Sequence, residues 1–346
     1  MFEPEPWHPA RPGLFRPAPL DPTGEHGPTR SQAQGPRVRR TSHGLYVPAW
    51  VEPTTAQRIV EAAALTRGGQ CVTGWASLCW RGARWFTGTD AVGRERPVEL
   101  LVSTRDLRPR PGITVTGEGI AADQREVVDG VQLVDVRAAV SFLMRRAASV
   151  REAVRVLDMA AYDDVVSVAE MDGYLSPGQN SWTGVPRARA AVPLCSEASW
   201  SPAEVDLRLT WVLDGGFPAP LVNAPVFDAE GRHVATPDLI DVEAGVAGEY
   251  EGGIHLDRAT RAADVRREAA LRAHDLEVVT MTADDRLTPR RFLARLEEAY
   301  HRAGRRRGAR SWTTDPPSWW TPTATVAQRR ALTPDQRRRF LRYRAS

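Results

Sequence analysis

Three acids in the second half of the chain have the types and spacing to do chemistry. Asp238 follows Thr236-Pro237, and Glu249 and Glu251 lie eleven and thirteen residues later in Gly248-Glu249-Tyr250-Glu251-Gly252. Residues two apart on a strand point to the same face, so Glu249 and Glu251 converge, and a hairpin-paired strand can set Asp238 beside them. Carboxylates gathered on one face repel each other and raise one another's pKa. A divalent cation relieves that repulsion, and Mg²⁺ or Mn²⁺ accepts a partial carboxylate shell while keeping bound waters. Such an ion activates water and neutralises charge on a phosphate during hydrolysis. Gly252 and Gly253 would let a nucleic-acid backbone approach closely. The same acids can also be read as a solvated acidic face.

The elements that must position these acids are legible from periodicity and punctuation. Ser201-Pro202-Ala203-Glu204 reads as an N-cap, a proline at the first helical position and an acid at the third. That helix should run to about Asp214 and stop at Gly215-Gly216. Strands are expected at 221–228, 233–241 and 245–251, a helix at 259–274, a strand at 276–281 and a helix at 290–304. Upstream, Thr54 should cap a helix over 55–67. Strands follow at 98–103, 113–116 and 131–136, with Asp129-Gly130 as a hairpin turn, then helices at 137–147 and 150–161. The expected blocks are a disordered, Pro- and Gly-rich start (1–26), a short basic segment (27–50), an α+β unit (51–195), a second unit (196–300) and a basic tail (301–346) with a last helix near 334–344.

The 346 residues include no lysine; all 46 basic residues are arginine. A catalytic lysine is therefore excluded. Residues 301–346 carry 12 Arg against Asp315 and Asp335, while the rest of the chain carries 34 Arg against 41 acids. A basic tail on an acidic body suits nucleic-acid contact, and equally a solvated tail. Three cysteines without a CxxC pair argue against a disulfide framework or a cysteine zinc site, and for a cytoplasmic protein. The first residues lack the apolar stretch of a signal peptide, and no segment is apolar enough for a membrane span. Gly117-Glu118-Gly119 lies too close to the next strand to serve a dinucleotide. No GxSxG elbow occurs, and the seven histidines show no HxxxH spacing for zinc.

Taken together, the spacing and element order of 197–300 resemble the PD-(D/E)XK nuclease core, and in particular its very-short-patch-repair-like (Vsr-like) branch. Glu204 in SPAEVDLRL stands at the helix Glu and Asp238 at the strand Asp. Glu249, Glu251 and Gly252 match E-x-D-G, and His255 matches the nearby His. Arg266-Arg267-Glu268 opens the helix that follows, and LEVVTMTADD resembles the strand after it. The resemblance implies an α/β restriction-endonuclease-like fold and Mg²⁺- or Mn²⁺-dependent cleavage of DNA. It implies Asp238 and Glu249 as metal ligands and Glu251 as a ligand or water orienter. Glu204 becomes an outer acid, and His255 a base or phosphate contact. Three departures stand out: Glu251 replaces the usual Asp, the superfamily Lys is absent, and Gly248 replaces a bulky residue.

The N-terminal part resembles AbiEi-type antitoxin proteins, in which a basic turn leads out of a winged helix into G-V-Y-V-P. TRSQ and then RVRRTSHGLYVPA carry that likeness, which implies a winged-helix remnant over 27–50 and an AbiEi-like α+β unit over 51–195. TGWASLCW (73–80), the strand at 98–103 and Asp129-Gly130 through Val136-Arg137 carry a likeness to the following α+β unit. Arg30, Arg37, Arg39 and Arg40, with Arg266 and Arg267, are the expected DNA contacts. The expected function is a metal-dependent DNA endonuclease or a nuclease-derived DNA-processing protein. The alternatives are an antitoxin-type DNA-binding regulator with a degenerate nuclease domain and a possible toxin partner, or a scaffold whose tail binds a partner.

Overall fold

The computed structural model describes residues 2–90, 92–102, 107–178, 182–251 and 258–344, with the backbone alone for 258–264 and 343. The chain divides into two compact units, 1–146 and 147–346, each a mixture of helices and sheets. Among the described residues no helix is long and apolar enough to cross a membrane.

In the first unit, β1 (Val38–Ser42) and β2 (Leu45–Pro48) form an antiparallel hairpin. Thr54 accepts the Gln57 N–H and starts α1 (Thr55–Ala63). There follow β3 (Cys71–Thr73), α2 (Gly74–Trp80), β4 (Val98–Leu101), β5 (Ile113–Thr116), β6 (Arg125–Val128), β7 (Val131–Val134) and α3 (Val136–Arg146). Asp129 and Gly130 both have positive φ, 45° and 81°, as a two-residue turn between β6 and β7 requires. The sheet runs β5-β4-β3-β7-β6, with β3 antiparallel to β4 and parallel to β7.

The start of the chain corrects the expectation of disorder over 1–26. Trp7 is buried and its indole N–H donates to Asp129 O at 2.9 Å. Arg11 pairs with Asp129 at 2.7 Å, and its guanidinium lies over the Trp80 ring. Composition reported the prolines, whereas a few aromatic and arginine anchors decide the outcome. The segment 27–50, expected as a winged-helix remnant, holds the β1–β2 hairpin and one 3-10 turn at Gln32–Gln34, with no α-helix among its described residues.

The boundary between units falls at 146/147 rather than 195/196. The cause is α4 (Val150–Tyr162), which is fastened to later residues. Its fully buried Asp158 accepts from Ser196 N, Ser199 Oγ and Arg208 Nη2, and its Arg155 pairs with Asp206. Then come α5 (Val168–Tyr174), α6 (Val185–Ala191) and α7 (Pro202–Leu209). The helix expected to reach Asp214 stops being α-helical at Leu209 and widens into a π turn over Thr210–Asp214, closed by Gly215 N–H to Thr210 O.

The remaining elements are β8 (Leu221–Val222), β9 (Val226–Asp228), β10 (His233–Ala235), β11 (Leu239–Asp241), β12 (Val246–Glu251), α8 (Arg258–Ala273), β13 (Glu277–Thr282), α9 (Arg290–Ala303), β14 (Trp312–Thr313), α10 (Val326–Arg330) and α11 (Pro334–Phe340). The main sheet has the order β13-β12-β11-β8. Strands β8, β11 and β12 are antiparallel neighbours, while β12 and β13 are parallel and joined through α8. A second sheet has the order β10-β9-β14 and is antiparallel throughout. One core packs Leu207, Trp211, Leu239, Met281 and Phe292; the other packs Ile240, Ala247, Leu271 and Val278. Gly248 has a packing cause: a Cβ there would come within 2.9 Å of the Trp211 ring.

The expected basic tail is folded onto the second unit. Asp164 binds Arg329, Arg337 and Arg344, each at 2.7 Å, and Arg329 is fully buried. Arg302 and Arg306 hold Glu277, and Arg330 holds Glu170. Six of the twelve arginines of 301–346 are thus engaged by acids within the unit, while Arg305, Arg307, Arg339 and Arg342 are exposed.

Candidate functional site

Ser201 Oγ accepts the Glu204 N–H and fixes the first turn of α7, which places Glu204 at its third position. The Glu204 carboxylate turns back: Oε2 accepts from Trp200 N at 2.8 Å and from Asn223 Nδ2 at 2.6 Å. Asn223, just past β8, holds a left-handed conformation (φ 47°), which asparagine tolerates better than most residues. Its backbone N–H donates to Asp238 O at 2.9 Å, tying the approach to β11 against β8. The Asp238 carboxylate reaches across to β12, where Oδ2 accepts the Tyr250 N–H at 2.7 Å.

Glu204 and Asp238 are close enough to affect each other's charge. Burial, and after it the negative charge of Asp238, push the Glu204 carboxyl up to about 7. Hydrogen bonds from Trp200, Asn223 and Ser201 oppose this without cancelling it.

Glu249 lies on β12 next to the paired residues Leu239 and Gly248, so it shares the Asp238 end of the hairpin. It is buried, and its Oε2 accepts from Arg267 Nη2 of α8 at 2.8 Å. Glu251 ends β12 and is exposed. It lines a polar cleft of about 530 Å³ with Thr280, Thr282, Asp285, Arg291 and Arg295. There Asp285 accepts from Thr282 N and from Arg295, both within 2.8 Å.

The structure therefore brings Glu204, Asp238 and Glu249 to one end of the sheet and puts Glu251 in the adjoining cleft. His255 lies outside the described residues. Among the described residues no three of His, Cys, Asp and Glu gather closely enough to hold a metal ion. Of the expected DNA contacts, Arg30, Arg37 and Arg266 are exposed. Arg40 is exposed with its Nη2 at 2.9 Å from the His43 ring. Arg39 instead pairs with Glu61 at 2.6 Å and donates to Val51 O, and Arg267 is engaged by Glu249.

Sequence reasoning missed Asn223, which links Glu204 and Asp238. Its signal was an Asn just ahead of Ala224-Pro225, a composition suited to a break between strands. It also missed Arg286, which pairs with Asp206 of α7 at 2.5 Å.

Comparison with family models, with curated proteins and with solved structures finds no match to this chain.

Proposed function

We propose that the second unit is a DNA endonuclease of restriction-endonuclease-like, Vsr-like build, with Glu204, Asp238, Glu249 and Glu251 as its acids. The observation that carries this reading is the buried Glu204 carboxyl held beside Asp238, two acids at one end of a sheet. The element order supports it: a helix, the antiparallel strands β8, β11 and β12 with β9 and β10 diverted to a second sheet, a helix, and a parallel β13. The acids follow that order in the pattern the resemblance names.

The donor set is all oxygen, which suits Mg²⁺ or Mn²⁺. Asp238, with Glu249 beside it, would hold the ion, and Glu204 would stand behind Asp238. When bound, such an ion supplies a water of lowered pKa and neutralises charge on a phosphate. Asp238 is oriented by the Tyr250 N–H, and Asn223 orients Glu204. Thr282, Arg291 and Arg295 furnish hydroxyl and guanidinium groups beside Glu251 for a phosphate backbone.

Plasmid nicking tests the reading. Wild-type protein with Mg²⁺ or Mn²⁺ should nick; EDTA, Asp238→Asn and Glu249→Gln should each abolish it. Equal nicking by wild type and both variants would place the activity elsewhere.

One observation favours a second reading, an antitoxin-type DNA-binding regulator with a degenerate nuclease unit. Arg267 engages Glu249 where the resemblance expects a metal ligand. DNA binding without cleavage on any substrate, with a toxin partner recovered in complex, would select it. The β1–β2 hairpin and the sheet of the first unit support an AbiEi-like origin for that unit.

A further inference from the structure

The second unit contains a cavity of about 650 Å³ that no step above uses. The whole run 219–225 lines it, with β8 in the middle. A strand that turns one face to a space contributes every second residue. A strand that contributes consecutive residues presents its edge, and β8 is the edge strand of the main sheet.

The register says which backbone groups that edge carries. Val222 stands opposite Leu239, and Leu221 opposite Ile240. The next pair is joined by the Asn223 N–H, which donates to Asp238 O at 2.9 Å. Bonded and non-bonded pairs alternate along an antiparallel ladder. Val222 therefore belongs to a non-bonded pair, and its N–H and C=O point away from β11, toward the cavity. Neither has a backbone partner among the described residues. Val222 is half-buried and Leu221 is 49% exposed, as an uncovered edge requires. Pro220, which has no N–H, and Asn223, left-handed at φ 47°, end the edge on either side. It therefore suits a short strand and not a long one.

The rest of the wall is mostly apolar, with Trp200, Val212, Trp320 and Phe340 among its members. Its charged members are spent. Arg208 is engaged by Asp158 and Leu194 O. Glu197 accepts the N–H groups of Val168 and Val326, the first residues of α5 and α10. A charge on an occupant would lose its hydration here without gaining a partner.

We propose that this cavity binds a short, extended segment of a partner protein, which adds to β8 as a further strand. Its backbone pairs with the Val222 N–H and C=O, and its side chains are uncharged and lie against the apolar wall. Main-chain bonds hold such a segment and side-chain pockets select it. The proposal stands apart from the nuclease reading.

The full-length protein is titrated with three capped, fluorescent pentapeptides, alternating Val with Thr, Leu with Ser, or Phe with Ser, and followed by anisotropy. At least one should bind. The same peptide N-methylated at every residue should bind about tenfold or more weakly, because it leaves the Val222 carbonyl unpaired. Hydrogen exchange read by mass spectrometry should show that the peptide adds protection over 219–225. Val222→Pro removes the edge donor without touching the β8–β11 bonds, and should weaken binding about tenfold. Should that variant fail to fold, Leu221→Asp decides: the position is exposed, and the new charge should exclude an apolar peptide. A wild-type melting temperature certifies either variant. No binding by any of the three peptides, equal binding by the N-methylated form, or full binding by a folded variant overturns the proposal. So do two other occupants: a neutral dye, N-phenyl-1-naphthylamine, that binds and is displaced by no peptide, or protection over 219–225 that rises with protein concentration alone. No arm reads cleavage, so loss of nicking leaves this result intact.

Discussion

Each unit buries one carboxyl that is pushed up to about 7, Glu99 in the first and Glu204 in the second, and the causes differ. Glu99 sits on β4 opposite Thr73, at the start of α2. Burial raises it, while the Arg96 charge, the Trp75 backbone N–H and the Arg146 charge pull it down. It is boxed in by its own unit: a Cβ on Gly74 would fall 2.0 Å from its Oε2. Burial raises Glu204 too, but its next cause is another acid, Asp238. A perturbed carboxyl therefore marks a functional site poorly by its value and better by its neighbours. Cations and a helix start around Glu99 describe a structural group. A second acid beside Glu204 describes a place where a cation would be welcome.

The largest expected effect is common to both acids. Each folded-state carboxyl keeps its proton to about pH 7, whereas the unfolded chain releases it near the ordinary value of 4.5. Between those values the folded state binds more protons, so the stabilising contribution is complete below pH 4.5 and is lost as pH rises through 7. The loss is about 3 kcal/mol per group at most. Urea unfolding from pH 4.5 to 8 should show that slope, and Glu99→Gln or Glu204→Gln should each flatten part of it. A slope untouched by one variant would show that its carboxyl titrates in solvent.

Next in size, Gly74→Ala should cost about 2 kcal/mol or more, since it combines φ of 60° with the contact to Glu99. Adding Glu99→Ala should recover the contact share and leave the backbone share. Full recovery would mean that backbone strain is negligible there.

The smallest effect separates the two acids most sharply. At pH 8, Mn²⁺ at ten times its Kd should stabilise the wild type by about 1.4 kcal/mol. Thermal melts should show this gain lost in Asp238→Asn and kept in Glu99→Gln. Loss in both variants would erase the distinction between the sites.

Much of the scaffold around these acids was legible. Thr54 and Ser201 act as the caps their positions suggested, and β12 and β13 lie within a residue of the expected strands. The strands expected at 221–228 and 233–241 each split into two pieces that join different sheets. Pro225 and Pro237 stand at the breaks, where a missing N–H interrupts a ladder. Hydrophobic alternation continues across such a break, so periodicity does not report it. Pairings over long sequence distances were equally hidden: Arg267 with Glu249, Arg208 with Asp158, and the late arginines with Asp164. Charge counts see only a basic tail, because they carry no information about which acid each arginine meets.

The grip of Asp164 on three arginines has a consequence for proteolysis. Trypsin cuts after arginine, yet Arg329 and Arg344 are buried and Arg337 is engaged. Arg305 and Arg307, by contrast, stand exposed in the segment after α9. Within 301–337, cutting should therefore fall there rather than at the Asp164 cluster. The severed piece would still be held by β14 on β9, by the Trp320 ring against Phe227 and His233, and by the Asp164 cluster. Protein cut after Arg305 or Arg307 should therefore separate into two pieces on a denaturing gel yet elute as a single particle at the intact position in gel filtration.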